Sequence, residues 1–418
     1  MLIYNRSNLL PALVSSKVYQ QLEFLAVGSW WIYDKTTFKK IPSSREDVVN
    51  DQSIDLRAKR NVMRFLQLAA SPESHLAAIE EHGSEPFPAY LQSQFKISEQ
   101  LQVTLLALTM SPNLPSNTLT SNALTNIHRH LTSVGLFGPG FGAVIPKWGG
   151  LAEVAQVACR AGAVGGGVYV LGRGIENTET TSDKEHEHDD EDAEPMIQIR
   201  LTDGEKIKSK AVGGSSYDLP VEQQDIAEEV ERVSRSISII SSPLDELFPP
   251  IAEGAPLPAA AVMVFPSGSL DGGETKEATM HAPVHLMVHT AESGECPAGQ
   301  CIIYGHTATT TPSRPSLLSF AVSKLLESLT VQPQAQVIWS MQYQQCHPPS
   351  TTSKSPDNVF LCQDIFPSLV LEDDVLRDVR SIWESITEKD AKPPFMTFED
   401  REGMDSGEKD DDGDEDIS

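Results

Sequence analysis

The chain is short of most features that announce a chemistry. Its five cysteines (Cys159, Cys296, Cys301, Cys346 and Cys362) are odd in number and contain no Cys-x-x-Cys pair. That argues against a disulfide framework, a zinc knuckle or a dithiol redox centre, and for reduced thiols. Apolar runs are brief: Leu257 to Phe265 falls well below the ~20 residues that span a bilayer. No charged-then-apolar leader is visible at the start. Positive charge is scarce, with 32 Lys and Arg against 59 Asp and Glu, a formal net charge of −27. No basic stripe can displace phosphate counterions, which excludes nucleic acid as a partner. There is no internal repeat. No Gly-x-Gly-x-x-Gly lies near the start either. Gly138-Pro-Gly140-Phe-Gly142 contains proline and follows a helical pattern instead of opening one, so it fails as a dinucleotide turn.

What is present begins with two acidic stretches. Glu176 to Glu194 holds ten acidic residues and one basic, and Glu399 to Asp416 holds eleven against two. Together they supply −18 of the −27, and neither has the apolar residues to build a core. The remaining chain is long enough for two domains. A helix is expected over Leu9–Phe24, then a strand pair, Gly28–Tyr33 and Phe38–Ile41. Ser43 with Glu46 forms a capping box that opens a helical region. Helices follow over Leu56–Ala69, Ser98–Met110 and Leu119–Val134, punctuated by Pro86, Pro88, Pro112 and Pro115. Strand patterns then recur at Ile197–Leu201, Ser236–Ile240, Ala261–Phe265, Val284–His289, Gln300–Tyr304 and Gln336–Met341, with helices at Leu317–Leu329 and Val375–Ile386. The expectation is an α/β (α+β) fold, one sheet domain interrupted by a helical one. Its parts are residues 1–43, the helical 44–134, then 135–390 carrying the acidic insertion 176–195, and an acidic tail, 391–418.

The most informative stretch is Lys147-Trp-Gly-Gly-Leu-Ala-Glu-Val-Ala-Gln-Val-Ala-Cys-Arg160. On a helical wheel Leu151, Val154, Ala155 and Ala158 share one face, while Glu153, Gln156 and Arg160 share the opposite one. Gly149-Gly150 gives a flexible approach, and Gly162 with Gly165-Gly166-Gly167 turns the chain into an apolar strand, Val168–Leu171. A short helix pinned between glycine turns, with acid, amide and base outward, suits docking better than catalysis.

This stretch resembles the superfamily of Rab GDP-dissociation inhibitors (GDIs) and Rab escort proteins. The matching residues are Gly150, Leu151, Glu153, Gln156, Arg160, Ala163, Gly166, Gly167, Tyr169 and Leu171. Ile41-Pro-Ser-Ser-Arg-Glu-Asp-Val48, with Lys59-Arg60, Met63 and Phe65-Leu66, resembles the escort branch. Gln21-Leu-Glu-Phe24 with Val27-Gly-Ser-Trp-Trp-Ile-Tyr33 is similar to the fungal escort type. The resemblance runs from residue 1 to about 388. Met1 corresponds to an interior point of the family pattern, so the family's first strand, glycine-rich turn and platform tyrosine are expected to be missing.

The resemblance implies a sheet domain of FAD/NAD(P)-binding type interrupted by helices. It also implies an accessory subunit, component A of Rab geranylgeranyltransferase. Such a protein binds GDP-bound Rab GTPases, presents them to the catalytic heterodimer for cysteine prenylation and delivers them to membranes. It would be cytoplasmic, and only transiently membrane-associated through its prenylated cargo. Glu153, Gln156 and Arg160 would form the Rab-binding platform. Val168 and Val170 stand there too, where the GDI branch has a polar residue and a methionine. Phe95-Lys96-Ile97 falls at the family's mobile effector loop. The nearly all-apolar helix over Ser98–Met110 is read either as core or as a prenyl-groove wall through Leu101, Leu105 and Leu108.

Other candidates are weaker. His186 and His188 alternate in the acidic stretch without fixed geometry. His128 and His130 face apart on a helix, and neither Ser216-Tyr217 nor Cys346-His347 makes a triad. No catalytic residue, metal or cofactor is expected. The competing readings are a GDI, a flavin oxidoreductase, against which the absent glycine turn argues, and a truncated product without function.

Overall fold

The computed structural model describes residues 1–42, 54–138, 140–181, 196–215, 218–219, 231–250, 253–271, 281–308, 316–330, 333–347, 358–362, 368–387 and 394–398, with residues 48 and 52. β1 (Ile3–Tyr4) leads into α1 (Leu9–Ser15). This helix stops nine residues before the expected Phe24. Ser15 and Ser16 turn their hydroxyls onto the Ala12 and Leu13 carbonyls, and Lys17 adopts a left-handed φ of 61°. Serines that bond their own backbone compete with helix continuation. A 3₁₀ turn, Val18–Gln21, then precedes β2 (Phe24–Asp34), on which β3 (Thr37–Lys40) folds back with Lys40 opposite Trp31.

Five helices follow: α2 (Leu56–Ala70), α3 (Pro72–His82), α4 (Phe87–Tyr90), α5 (Glu99–Thr109) and α6 (Thr120–Ser133). Their starts are legible chemistry. The Asp55 carboxylate accepts the Arg57 and Ala58 amides, and the Ser71 hydroxyl accepts from Ser74 with Pro72 at the first helical position. The Ser43–Glu46 capping box lies outside the described residues.

The chain then lays down β4 (Ala143–Pro146), α7 (Leu151–Val164), β5 (Ile175–Thr181), β6 (Met196–Leu201), β7 (Lys206–Ser209) and β8 (Val212–Ser215). After β9 (Glu231–Ile240) come β10 (Ala260–Phe265), β11 (Val284–Thr290), β12 (Cys301–Ala308), α8 (Ser316–Ser328), β13 (Val337–His347), β14 (Val359–Cys362) and α9 (Asp374–Ile386). β5, β6 and β7 make a three-stranded sheet and β8 pairs with β14. Residues 176–181 of the acidic stretch are therefore strand, correcting the expectation of disorder there. Its remainder, 182–195, lies outside the described residues, as does the tail apart from 394–398.

The main sheet has nine strands in the order β1-β4-β2-β10-β11-β12-β9-β13, with β3 on β2. β10 runs parallel to β2, and its other pairing and those of the remaining strands are antiparallel. β10 reads Ala-Ala-Val-Met-Val-Phe and is buried throughout, the signature of a strand covered on both faces. Val262, Val264 and Met287 join one core with Phe65, Leu105, Leu108, Leu124 and Ile127 of the helices. Ala261, Met263, Phe265, Leu286 and Val288 join the other with Leu318, Ala321, Val322 and Leu325 of α8. Each buried Leu or Phe side chain contributes about 1.5–3 kcal/mol.

Packing is tight at Gly305 of β12, where an added Cβ would fall on Ser236 Oγ and lie 3.2 and 3.3 Å from the Leu318 and Leu286 methyls. Gly305→Ala is expected to cost about 1–3 kcal/mol. A urea midpoint equal to wild type would refute this packing. At the far edge, β13 pairs with β9. It carries no Lys, Arg, Asp or Glu in its eleven residues and leaves Ile338, Trp339, Met341 and Tyr343 exposed. No described helix is long and apolar enough to cross a membrane.

Candidate functional site

The display helix exists, longer and rotated relative to the wheel. α7 runs through Gly162 to Val164. Its packed stripe is Leu151, Val154 and Val157, set against Leu9, Leu13 and Val18, whereas Ala155 and Ala158 face solvent. Glu153 is half-buried, Gln156 and Arg160 are exposed, and the Gln156 amide donates to Glu153 Oε1 at 3.2 Å. Glu153 also sits in the first turn, where a carboxylate complements the helix dipole. The expected strand Val168–Leu171 is not a strand. The segment joins no sheet, and Val168 and Leu171 are 86% and 91% exposed. Apolar β-branched residues without a neighbouring strand have nothing to pair with. Tyr169 folds back so that its hydroxyl lies where a Cβ on Gly162 would stand, at 2.5 Å. That contact explains a glycine inside the helix.

The approach to α7 holds a residue that sequence reasoning passed over. Trp148 is 60% exposed, yet its backbone has a φ of 75°, a conformation costing a non-glycine residue about 1 kcal/mol or more. Its amide donates to the Ser293 carbonyl at 2.7 Å. Lys147 Nζ lies 4.8 Å from the indole centroid and pairs with Glu23 at 2.8 Å. The indole rests on Gly294, where an added Cβ would collide with the ring. Behind Gly294, Glu295 accepts from Ser293 Oγ at 3.1 Å and bonds His289 Nδ1 at 2.7 Å and the Tyr304 hydroxyl. These bonds outweigh burial and hold the Glu295 carboxyl below its usual range. The only signal in the sequence was a lone Trp before Gly-Gly.

Phe95, Lys96 and Ile97 follow a π-type turn, Leu91–Phe95. Phe95 and Ile97 are buried, Phe95 against the rings of Phe65 (5.4 Å) and Tyr90 (5.7 Å), while Lys96 is exposed with φ 56°. The Gln102 side-chain amide, also unforeseen, donates to the Ile97 carbonyl at 2.9 Å. Of the groove candidates, Leu105 and Leu108 are buried in the helical core and Leu101 packs partly buried against it. The opposite flank of α5 (Val103, Leu106, Ala107) lines a cavity of about 50 Å³ with Val264, Pro266, Pro283 and His285.

The histidine pair on α6 separates as expected. His128 stacks on His75 at 3.9 Å, whereas His130 lies buried against Tyr4 and Trp30, and burial pushes it down to about 4. His186, His188, Ser216 and Tyr217 lie outside the described residues, as does the His347 side chain. A cleft of about 800 Å³ opens between α6 and residues 368–374, with an Arg129–Glu372 ion pair of 2.8 Å in its wall. Among the described residues no three His, Cys, Asp or Glu side chains gather as a metal site.

Comparison with known proteins places the fold. The family described as GDP dissociation inhibitor matches residues 1–248. Over 312 residues the chain is 29% identical to a Saccharomyces cerevisiae protein named Rab proteins geranylgeranyltransferase component A, covering 74% of this chain and 47% of that one. It is 27% identical over 339 residues to the protein of that name in Candida albicans, covering 78% and 48%. The chain thus spans about half the length of these relatives. Among solved structures, Rab GDI from Plasmodium falciparum superposes with a TM-score of 0.63 at 17% identity, covering 92% of this chain and 81% of that one. The fold is therefore that of Rab GDI, and the chain belongs to the GDP dissociation inhibitor family.

Proposed function

We propose that this chain acts as a Rab escort protein, the accessory component A of a Rab geranylgeranyltransferase. It binds GDP-bound Rab GTPases, presents their C-terminal cysteines to the catalytic heterodimer and carries the prenylated product to membranes from the cytoplasm. The relatives' names support this reading. The observation that carries it is the row Glu153, Gln156 and Arg160 along a helix fastened on its adjoining flank by Val154 and Val157. Charge-assisted bonds from such a row supply about 1.5–3 kcal/mol each where water is excluded. Val168 and Val170 add exposed apolar surface beside it. In this reading residues 1–43 and 135–390 form the sheet domain, 44–134 the helical domain and 391–418 the tail. Phe95-Lys96-Ile97 serves as effector loop, and Leu101, Leu105 and Leu108 line a prenyl groove that opens when α5 parts from its neighbours.

Arg160→Ala is expected to weaken binding of a GDP-loaded Rab tenfold or more, about 1.4 kcal/mol, in titration calorimetry. Unchanged affinity would remove the α7 assignment. The family match also favours a second reading, a GDI that extracts prenylated Rabs. Capture of the transferase heterodimer by the purified chain supports the escort reading, and capture of prenylated Rab alone supports the GDI.

A further inference from the structure

We infer that Trp148 is a partner-docking residue, and that the Ser293–Glu295 turn is the seat that holds it ready. The inference rests on the reading of α7 as the GTPase-binding helix. Two glycines are all that separates Trp148 from α7, so a partner seated on Glu153 and Gln156 lies next to the indole.

Four observations converge. The ring is largely in water, so the core gains little from it. Its backbone nonetheless occupies a region that disfavours every residue but glycine, and observed strain of this kind clusters where function demands a fixed orientation. The ring is clamped rather than loose: Lys147 over one part, the bare Gly294 backbone beneath, and its own amide tied to Ser293. Finally, the clamp is anchored in depth. Ser293 is buried and Glu295 largely so, and Glu295 gathers Ser293, His289 and Tyr304 from the turn, β11 and β12. A rigid, exposed aromatic with few rotamers left to lose is the kind of side chain that dominates protein–protein affinity once a partner buries it. Glu153 and Arg160 select by charge, and Trp148 supplies the apolar anchor. The chemistry it fits is an apolar patch on the docked GTPase, close to the polar groups that meet Glu153 and Gln156. Lys147, neutralised by Glu23, leaves no unbalanced charge beside that contact.

The test uses the full chain and one GDP-loaded Rab. Trp148→Ala is expected to weaken binding about tenfold or more, mainly through faster dissociation, while Trp148→Phe stays within about threefold. Gly294→Val, which unseats the ring without touching it chemically, should behave like the alanine variant. A purely structural tryptophan is distinguished by ¹⁹F spectra of the 5-fluorotryptophan-labelled chain, which has five tryptophans. The resonance absent from the Trp148→Phe sample should shift when unlabelled Rab is added. If Arg160→Ala weakens binding while Trp148→Ala matches wild type and the resonance stays put, this inference falls and the α7 reading stands. If neither variant changes the affinity, both fall together.

Discussion

Between pH 7 and pH 5 the protein is expected to lose about 4 kcal/mol of folding stability through two buried imidazoles. His130 is sealed between Tyr4 and Trp30, and His285 lies on β11 beside His306 of β12. Burial pushes both down to about 4 from the usual 6.5. His306 is likewise pushed well below the usual range, first by burial and then by the His285 and Arg235 charges. The direction follows from which state takes up the proton. Below 6.5 the unfolded chain protonates these rings while the folded one resists. Stability is therefore complete above 6.5 and drains as the pH falls toward 4. Each ring accounts for about 2 kcal/mol at pH 5 and about 3 kcal/mol in full. Protonation of surface carboxylates in so acidic a chain relieves repulsion and works the other way, so the decisive comparison is with a variant. His285→Asn should shrink the difference between urea-derived stabilities at the two pH values by about 2 kcal/mol. An undiminished difference would refute the role of that ring.

The second large effect lies in the helical part. Phe65→Ala is expected to cost about 3–5 kcal/mol. Phe65 has no exposed surface, and its ring meets Phe87 at 5.8 Å and Phe95 at 5.4 Å. Removing it leaves a void beneath the π-type turn and strips Phe95 of its main neighbour. Tyr90 and the Arg64 guanidinium on Phe95, with the Gln102 bond to Ile97 and the Asn61 bond to Lys96, would then hold the loop. Two measurements check this: denaturant stability, and hydrogen exchange, in which amides of 91–97 should speed up far more than those of β10–β12. A loss under about 1 kcal/mol would mean the site collapses onto itself and the void never forms.

How much of this was legible depended on whether a feature is local. The β10 strand announced itself as an unbroken apolar run, β11 as a mostly apolar one broken by His285 and His289, and α2, α5 and α6 through helical spacing and proline boundaries. Sheet order could not be read: β2 and β10 are neighbours although paired residues such as Trp30 and Val262 stand 232 positions apart. Val168–Leu171 failed for the converse reason. Its composition is that of a strand, but pairing is a property of two segments, not one. On α7 the wheel found the polar row correctly and misjudged the packed stripe. Alanines at 155 and 158 counted as apolar, while Val157 met the surface of α1 and its following turn. Trp148 was hidden because a positive φ and a ring seated on Gly294 leave no trace in composition.

The uncharged rim at β13 has a cost of its own. Eleven residues without a formal charge, several of them large, apolar and exposed, make a ready template for another extended chain, and here no lysine or proline blunts it. What opposes such pairing between molecules is the long-range repulsion of a polyanion of charge −27. Added electrolyte shortens the reach of that repulsion to within a few ångströms. Self-association along this rim is thus expected to rise with ionic strength.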